Sequence, residues 1–185
     1  MSLVSWAREP VSRFDAAVDQ EMDRLRGHPV VDRVFYAASE LGDFSLVWLI
    51  LAAARGLRSE RDERAAVRMA LNSMAESVLV NWVIKSMFRR SRPAWDVVRP
   101  HKLRRPLTSS FPSGHATAAF SNAILLADGD PMAPLYYAVA IVVASSRVYV
   151  KIHHASDVLA GVGIGVGLGL LARRLMPLPP VGGTG

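Results

Sequence analysis

Cysteine is absent from this sequence of 185 residues, so disulfide frameworks, thiolate nucleophiles and cysteine-ligated metal sites are excluded. Residues 1–29 hold five carboxylates where a secretory signal needs an apolar core, and no cleaved signal peptide is expected. Uncharged apolar runs all fall short of the ~18–20 residues of an unambiguous transmembrane helix. Insertion into a membrane must therefore use helices of the mature chain that carry polar interruptions.

What is present favours a small membrane protein. Hydrophobic residues make up 51% of the chain and the mean hydropathy is +0.22, yet 21% of the residues are charged. This mixture differs from that of a disordered chain or of an ordinary soluble enzyme. The net charge of +6 fits three kinds of partner: a nucleic acid, anionic lipid headgroups or a phosphorylated substrate.

Hydrophobic periodicity predicts an all-α fold, a polytopic membrane helix bundle with about five transmembrane helices and an N-terminal amphipathic helix. The amphipathic helix is predicted over residues 10–26 and is expected to pack on the protein or lie at the membrane interface. One domain should cover residues 1–176, with a transmembrane core over 34–172, and residues 177–185 should form a disordered tail. The five predicted membrane helices are 34–54, 65–88, 116–127, 134–150 and 157–172.

Two of these helices carry residues that indicate which face is buried. A polar stripe with a spacing of four runs from Arg68 to Glu76, and in a bilayer it must face the bundle interior. We interpret this stripe as an internal polar seam rather than a proton-handling site. Gly161, Gly165 and Gly169 are also four apart, and small residues at this spacing let two membrane helices approach closely.

Three clusters of polar residues lie at the ends of the predicted helices. The first has the pattern Lys-x6-Arg-Pro and starts at Lys85; the second, 112–115, reads Pro-Ser-Gly-His; the third, 146–157, reads Ser-Arg-x5-His-x3-Asp. A turn that opens a helix leaves backbone N–H groups able to hold an anion, and Lys and Arg side chains add charge. The three clusters together therefore have the donors that a phosphate group requires.

These motifs, in this order and without a mismatch, resemble the type 2 phosphatidic acid phosphatase superfamily, which includes lipid phosphate phosphatases, bacterial acid phosphatases and vanadium haloperoxidases. The resemblance covers residues 85–161. It implies an integral-membrane, metal-independent phosphatase without a cofactor, acting on a lipid phosphate of the prenyl-linked or phosphatidylglycerol phosphate type. The residues that would bind the phosphate group are Lys85, Arg92, Ser113, Gly114 and Arg147.

The resemblance also implies a mechanism. His153 attacks phosphorus to form a phosphohistidine, Asp157 holds the His153 ring, and His115 protonates the leaving oxygen and later activates water. His154 lies three residues before Asp157, so helical spacing alone allows either His153 or His154 to pair with this carboxylate. The family pattern selects His153.

Several alternatives remain beside this hypothesis. Within the same fold, the protein could be a polyprenyl diphosphate phosphatase or a lipid phosphotransferase; from another class, it could be a membrane lipid-binding protein without activity. A soluble acid phosphatase would need a signal peptide and a polar surface. Nucleic acid is not expected as a partner, because the basic run over 89–105 has no aromatic platform and lies between apolar helices. The sequence leaves the oligomeric state open.

The predicted topology also assigns a side of the membrane. With five spans, the N-terminus and the loops 85–115 and 147–157 share one side, which brings the three motifs together. This side carries 15 of the 22 Lys and Arg residues. The positive-inside rule therefore predicts a multi-pass protein of the inner (plasma) membrane with a cytoplasmic active site.

Overall fold

The computed structural model describes residues 3–94, 103 and 108–180, and the regular elements in these ranges are helices. The helices are α1 (Leu3–Asp23), α2 (Pro29–Leu41), α3 (Leu46–Gly56), α4 (Glu60–Val78), α5 (Lys85–Met87), α6 (Gly114–Leu126), α7 (Ala133–Tyr149) and α8 (Ala155–Leu175). A 3₁₀ turn (Asp43–Ser45) separates α2 from α3, and a π-helical segment (Leu79–Ile84) joins α4 to α5. The prediction of an all-α bundle is confirmed.

Helix α6 lies at the centre of the bundle, in contact with α4, α7 and α8. Its residues 116–119 and 121–126 are all buried, and a helix that is buried on every side must be apolar or have its polar groups paired. Ser121, for example, accepts a hydrogen bond of 2.6 Å from Asn72 on α4. The predicted polar stripe on α4 therefore faces the interior, as expected.

Helices α6 and α8 approach each other closely through the glycines of α8. An added Cβ at Gly161 would lie 2.5 Å from the carbonyl oxygen of Ser113, and one at Gly165 would overlap the backbone of Thr117. By contrast, an added Cβ at Gly163 would meet no atom within 4 Å. The predicted glycine contact face is confirmed, and it ends at the first turn of α6, where the second motif lies.

The predicted helix 34–54 is wrong as one continuous element. Helices α2 and α3 are bent by 74° at the intervening turn, where Phe44 and Ser45 have φ values of 53° and 57°. Gly42 sits at the bend because its Cα faces the ring of His115 and the side chain of Val143, with no room for a Cβ. Tertiary packing at this glycine overrides the apolar periodicity of the segment.

The predicted helix 65–88 also has an interruption. It begins earlier, at Glu60, where Ser59 caps the first turn by accepting a hydrogen bond from the backbone N–H of Asp62. After Val78 the chain follows a π-helical path over six residues, which changes the direction of the side chains that follow. Lys85, the first residue after this segment, is buried.

At the end of the bundle remote from the three motifs, arginines hold the α6–α7 connection. Arg68 donates to the Asp128 carboxylate at 2.8 Å and to the Leu125 carbonyl oxygen at 3.0 Å. Arg55 is 1% exposed and donates to Asp62 at 2.7 Å. Arg68 thus pairs with this loop rather than with Glu76.

Helix α1 covers the motif end of the bundle. It begins at Leu3, so Pro10 lies inside the helix instead of in its first turn, at the cost of one backbone N–H donor. Val18 and Met22 pack on the bundle, whereas Val11 and Phe14 are exposed by 41% and 42%. The amphipathic helix therefore both packs on the protein and presents apolar side chains outward.

In the described part of the chain, α8 has the length and composition to cross a membrane, and the bent α2–α3 pair would be a second such span. Helix α7 is apolar but shorter. The number of five spans stays a prediction. Of the predicted tail, Pro179 accepts a hydrogen bond from Arg61 at 2.8 Å, and residues 181–185 lie outside the described residues.

Candidate active site

His153 lies in the connection between α7 and α8, with 3% of its surface exposed. Its backbone N–H donates to the carbonyl oxygen of Arg147 at 3.0 Å, which fixes the turn. Its ring Nδ1 lies 2.7 Å from the Ser110 carbonyl oxygen, and its Nε2 lies 3.2 Å from Nη1 of Arg92. Because a carbonyl only accepts and a guanidinium only donates, the ring proton belongs on Nδ1. The lone pair of Nε2 therefore points to Arg92.

Asp157 was predicted to hold the His153 ring directly. The distance from its Oδ2 to Nδ1 of His153 is 3.8 Å, an ion-pair distance rather than a hydrogen bond. The same oxygen accepts from the hydroxyl of Ser110 at 2.6 Å and from the backbone N–H of His154 at 2.9 Å. Asp157 thus acts on the ring together with Ser110, whose carbonyl oxygen is the nearer acceptor.

The environment of His153 keeps its imidazole neutral. Burial lowers the pKa of His153 to about 3, and the positive charges of Arg147, Arg92 and Lys85 act in the same direction, against the opposing effect of Asp157. A neutral imidazole with its proton on Nδ1 has the free lone pair that a nucleophile needs.

Lys85 and Gly114 meet where the first and second motifs come together. The ammonium group of Lys85 donates to Oδ1 of Asn81 at 2.9 Å, and an added Cβ at Gly114 would lie 3.5 Å from that ammonium group. The start of α6 therefore lies next to a buried cation. A helix start beside a cation suits an anion.

Arg92 is oriented by backbone carbonyl groups. It donates to the carbonyl oxygens of Ile152 at 2.9 Å, Thr108 at 3.1 Å and Ser109 at 3.2 Å. Carbonyl oxygens fix the plane of a guanidinium without cancelling its charge. Arg92 thus brings a positive charge to Nε2 of His153.

Ser113 and Arg147 are also fixed by hydrogen bonds to neighbouring parts of the protein. Ser113 caps α6 by accepting from the N–H of Ala116 at 3.5 Å, and its own backbone N–H donates to the Asp157 carbonyl oxygen at 3.0 Å. Its hydroxyl proton is the group that it can offer to a phosphate. The guanidinium of Arg147 donates to the hydroxyl and carbonyl oxygens of Ser39 on α2.

His115, in the first turn of α6, lies against the turn between α2 and α3. Its Nε2 is 3.0 Å from Oδ1 of Asp43. None of the three motifs includes Asp43, so sequence reasoning did not select it.

Three further residues of this network are not among the residues that the motif patterns specify. Arg90 donates to Asp157 at 2.6 Å and to Asp15 on α1 at 2.6 Å. Asp15, which is 7% exposed, also accepts from the backbone N–H of Ser156 at 2.8 Å. With Ser110, these residues form a layer behind Asp157. Asp15 lies three and seven residues before Val18 and Met22, so it shares the face of α1 that packs on the bundle. Its partners on that face are tertiary contacts that the sequence of α1 does not reveal.

The geometry separates the two adjacent histidines. The Nε2 atom of His154 lies 3.2 Å from the carbonyl oxygen of Ser91 at the exposed edge of the site. Of the basic run 89–105, Arg89 is exposed and Arg90 is paired with carboxylates. The other basic residues of that run after Arg92 lie outside the described residues.

Residues 66–178 match the family model of the PAP2 superfamily. The chain belongs to the PAP2 superfamily. The resemblance to the type 2 phosphatidic acid phosphatases is thereby confirmed, and the match includes all three motifs.

Individual PAP2 relatives agree with this assignment. The decaprenylphosphoryl-5-phosphoribose phosphatase of Mycobacterium tuberculosis is 31% identical over 134 residues, which cover 72% of this chain and 73% of the relative. The enzyme of the same name from Mycolicibacterium smegmatis is 32% identical over 150 residues, or 80% of each chain. A crystal structure of a transmembrane PAP2 type phosphatidylglycerolphosphate phosphatase from Bacillus subtilis superposes with a TM-score of 0.68 at 25% identity, covering 90% of this chain and 86% of that one.

These similarities confirm the prediction of a membrane lipid phosphatase with the PAP2 fold. They also confirm the association with a membrane.

Proposed function

We propose that this PAP2 protein hydrolyses a phosphate monoester carried by a prenyl-linked lipid. The observation that carries the proposal is the state of His153, whose Nε2 lone pair faces Arg92 while its Nδ1 proton is held by the Ser110 carbonyl oxygen. The prenyl class is supported by the two mycobacterial relatives, which are named for a decaprenyl-linked substrate. Phosphatidylglycerol phosphate is the second candidate substrate, supported by the Bacillus subtilis structure.

The first chemical step is displacement of the lipid at phosphorus. Nε2 of His153 forms a bond to phosphorus as the bond from phosphorus to the ester oxygen breaks, and this oxygen takes a proton from His115. The phosphoryl oxygens carry negative charge throughout, so Lys85, Arg92 and Arg147 stabilise the transition state. The proton on Nδ1 of His153 stays on this nitrogen, hydrogen-bonded to the Ser110 carbonyl oxygen, and Asp157 offsets the positive charge that the ring gains.

The second step regenerates the enzyme. Water gives a proton to His115 as its oxygen attacks phosphorus, and the bond from phosphorus to Nε2 of His153 breaks. Inorganic phosphate leaves, and both histidines return to their starting protonation states. The reaction uses no metal and no cofactor.

The purified protein in detergent micelles provides the test. We expect phosphate release from a prenyl phosphate or a prenyl-phosphoryl sugar phosphate that persists with a chelator and is inhibited by vanadate. His153→Ala should lose turnover and the acid-labile phosphoenzyme, since it lacks the nucleophile. His154→Ala is the matched control, because its ring lies at the exposed edge, and it should retain activity. Full turnover in His153→Ala would overturn the mechanism.

The same assay tests the substrate. Phosphatidate, phosphatidylglycerol phosphate, a polyprenyl monophosphate and a polyprenyl diphosphate are compared at equal micellar mole fraction. A preference for the diphosphate would favour a polyprenyl diphosphate phosphatase, and transfer of the phosphoryl group to an added alcohol would favour a phosphotransferase. Absence of phosphate release from every substrate would leave a lipid-binding role.

We further propose that the protein spans the inner (plasma) membrane with its site on the cytoplasmic face. The excess of Lys and Arg on the side of the three motifs supports this orientation.

A further inference from the structure

The turn between α2 and α3 places a carboxylate beside the candidate general acid. Asp43 is the first residue of this turn, and its Oδ1 lies 3.0 Å from Nε2 of His115. The two residues that follow, Phe44 and Ser45, adopt the left-handed conformation that side chains other than glycine disfavour. The backbone conformation is thus unfavourable at the two residues next to Asp43, in the turn that places Asp43 against α6.

Packing fixes which edge of the His115 ring meets this turn. An added Cβ at Gly42 would lie 2.7 Å from Cδ2 of His115, so the ring lies directly against the backbone of Gly42. Cδ2 and Nε2 form one edge of an imidazole, and this edge faces the turn. The opposite edge, with Nδ1, therefore faces away from Asp43, and 18% of the side chain remains exposed.

The charges around His115 give Asp43 a distinct role. Burial disfavours a second proton on this ring most strongly, and the positive charges of Arg147 and Lys85 act in the same direction, while Asp43 opposes them with negative charge. An imidazole that must carry a second proton before it donates one needs an anion on its other nitrogen.

We propose that Asp43 is the positioning residue for His115. It accepts the Nε2 proton and holds the ring, so that Nδ1 gives its proton to the leaving oxygen as the bond from phosphorus to oxygen breaks. In the second step, Nδ1 takes a proton from water. This inference rests on the proposed function, because it assigns a partner to the acid of that reaction.

The leaving group makes the proposal testable. A lipid alkoxide needs a proton to leave, whereas p-nitrophenolate leaves without one. Asp43→Asn keeps the volume of the side chain and removes its charge. We expect kcat with the lipid phosphate to fall about 10–100-fold at a nearly unchanged KM, a fraction of the usual contribution of general acid catalysis. The pre-steady-state burst of p-nitrophenolate should change by less than about 3-fold, since that step needs no acid.

After the burst, the same variant should accumulate phosphohistidine. Hydrolysis of the intermediate needs His115 as a base, so it should slow while formation with p-nitrophenyl phosphate continues. Rapid quenching into alkaline detergent, in which phosphohistidine is stable, traps the labelled phosphoenzyme and measures this difference directly. A residue that served only to hold the fold would slow both steps together.

Two variants complete the design. Asp43→Glu restores the charge and should recover part of the activity on the lipid phosphate. Glu40→Gln is the matched control, because it removes the same charge from an exposed residue on α2, and it should behave as the unaltered protein. Thermal unfolding of each variant in detergent shows that the comparison is made between folded proteins.

The outcomes distinguish this proposal from the proposed function. If the unaltered protein forms no phosphohistidine, the proposed function itself fails. If it does, and Asp43→Asn matches Glu40→Gln or slows phosphohistidine formation from both substrates by the same factor, the role of Asp43 is overturned. A selective loss in phosphohistidine formation from the lipid phosphate, with partial recovery in Asp43→Glu, supports it.

Discussion

The glycines of α8 divide into two sets that alanine substitution should separate. Gly161 and Gly165 face α6, where an added Cβ would meet backbone atoms, whereas Gly163 and Gly167 would meet no atom within 4 Å. All four lie in the same helix, so the change in helix propensity is the same at each. All four variants make the same substitution, glycine to alanine, and differ in whether the added Cβ contacts α6.

The magnitude follows from the distance. An added Cβ at Gly161 would lie 2.5 Å from the Ser113 carbonyl oxygen, and ordinary contact begins at 3.4 Å. The helices must therefore separate by about 1 Å, and overpacking of this kind costs about 1–3 kcal/mol. Alanine at Gly163 or Gly167 should instead stabilise the helix by about 0.5–1 kcal/mol.

Thermal unfolding in detergent measures the difference. For a chain of this length, 1 kcal/mol corresponds to about 2–4 °C in Tm, so the two sets should differ by at least about 3 °C. Gly161→Ala should also lower kcat about 10-fold or more, because it displaces Ser113 at the start of the site. Gly165 lies one helical turn farther from the site, so Gly165→Ala should lower Tm but should affect kcat less than Gly161→Ala does. Equal Tm values for all four variants would refute the close contact between α6 and α8.

Two further predictions concern pH and orientation. The pKa of His153 in the folded protein, about 3, lies below its ordinary value of 6.5. The neutral ring therefore contributes its full stability above about pH 6.5, and this contribution is lost as the pH falls toward the folded pKa. The loss is at most about 1.4 kcal/mol per pH unit. The fall of Tm on acidification should be shallower in His153→Gln than in His154→Gln, and equal slopes would contradict the neutral buried imidazole. Because the chain has no cysteine, the single variants Thr108→Cys and Glu60→Cys can each be labelled at one position. In intact cells an impermeant maleimide should label Glu60→Cys and leave Thr108→Cys unlabelled. The reverse pattern would place the site on the outer face of the membrane.

The residues of the site were predictable to the extent that spacing and local chemistry determine them. Gly114 and His115 open a helix, and an i to i+4 spacing links His153 to Asp157. The glycine spacing of α8 also predicted its contact face, because small residues in a row have a direct steric meaning.

The partners of these residues were not predictable in the same way. The bend that brings Asp43 to His115 lies in an apolar segment whose two strained residues are Phe44 and Ser45, neither of them a residue that signals a left-handed turn. Asp15 reaches the site from a helix more than a hundred residues away in sequence. Such contacts follow from how helices pack. The sequence of one helix does not show which neighbouring helix it will contact.

Two of the three arginines in the first cluster, Arg90 and Arg92, show how the structure gives chemically identical side chains different tasks. Arg90 meets the carboxylates of Asp157 and Asp15, so its charge is compensated and it serves to hold Asp157 in place. Arg92 donates to three carbonyl oxygens, and its Nη1 also lies next to Nε2 of His153. A phosphate group that entered between Arg92 and His153 would replace that weak contact with a charge-assisted hydrogen bond. The position that the family pattern requires to be arginine is thus the one that faces Nε2 of His153.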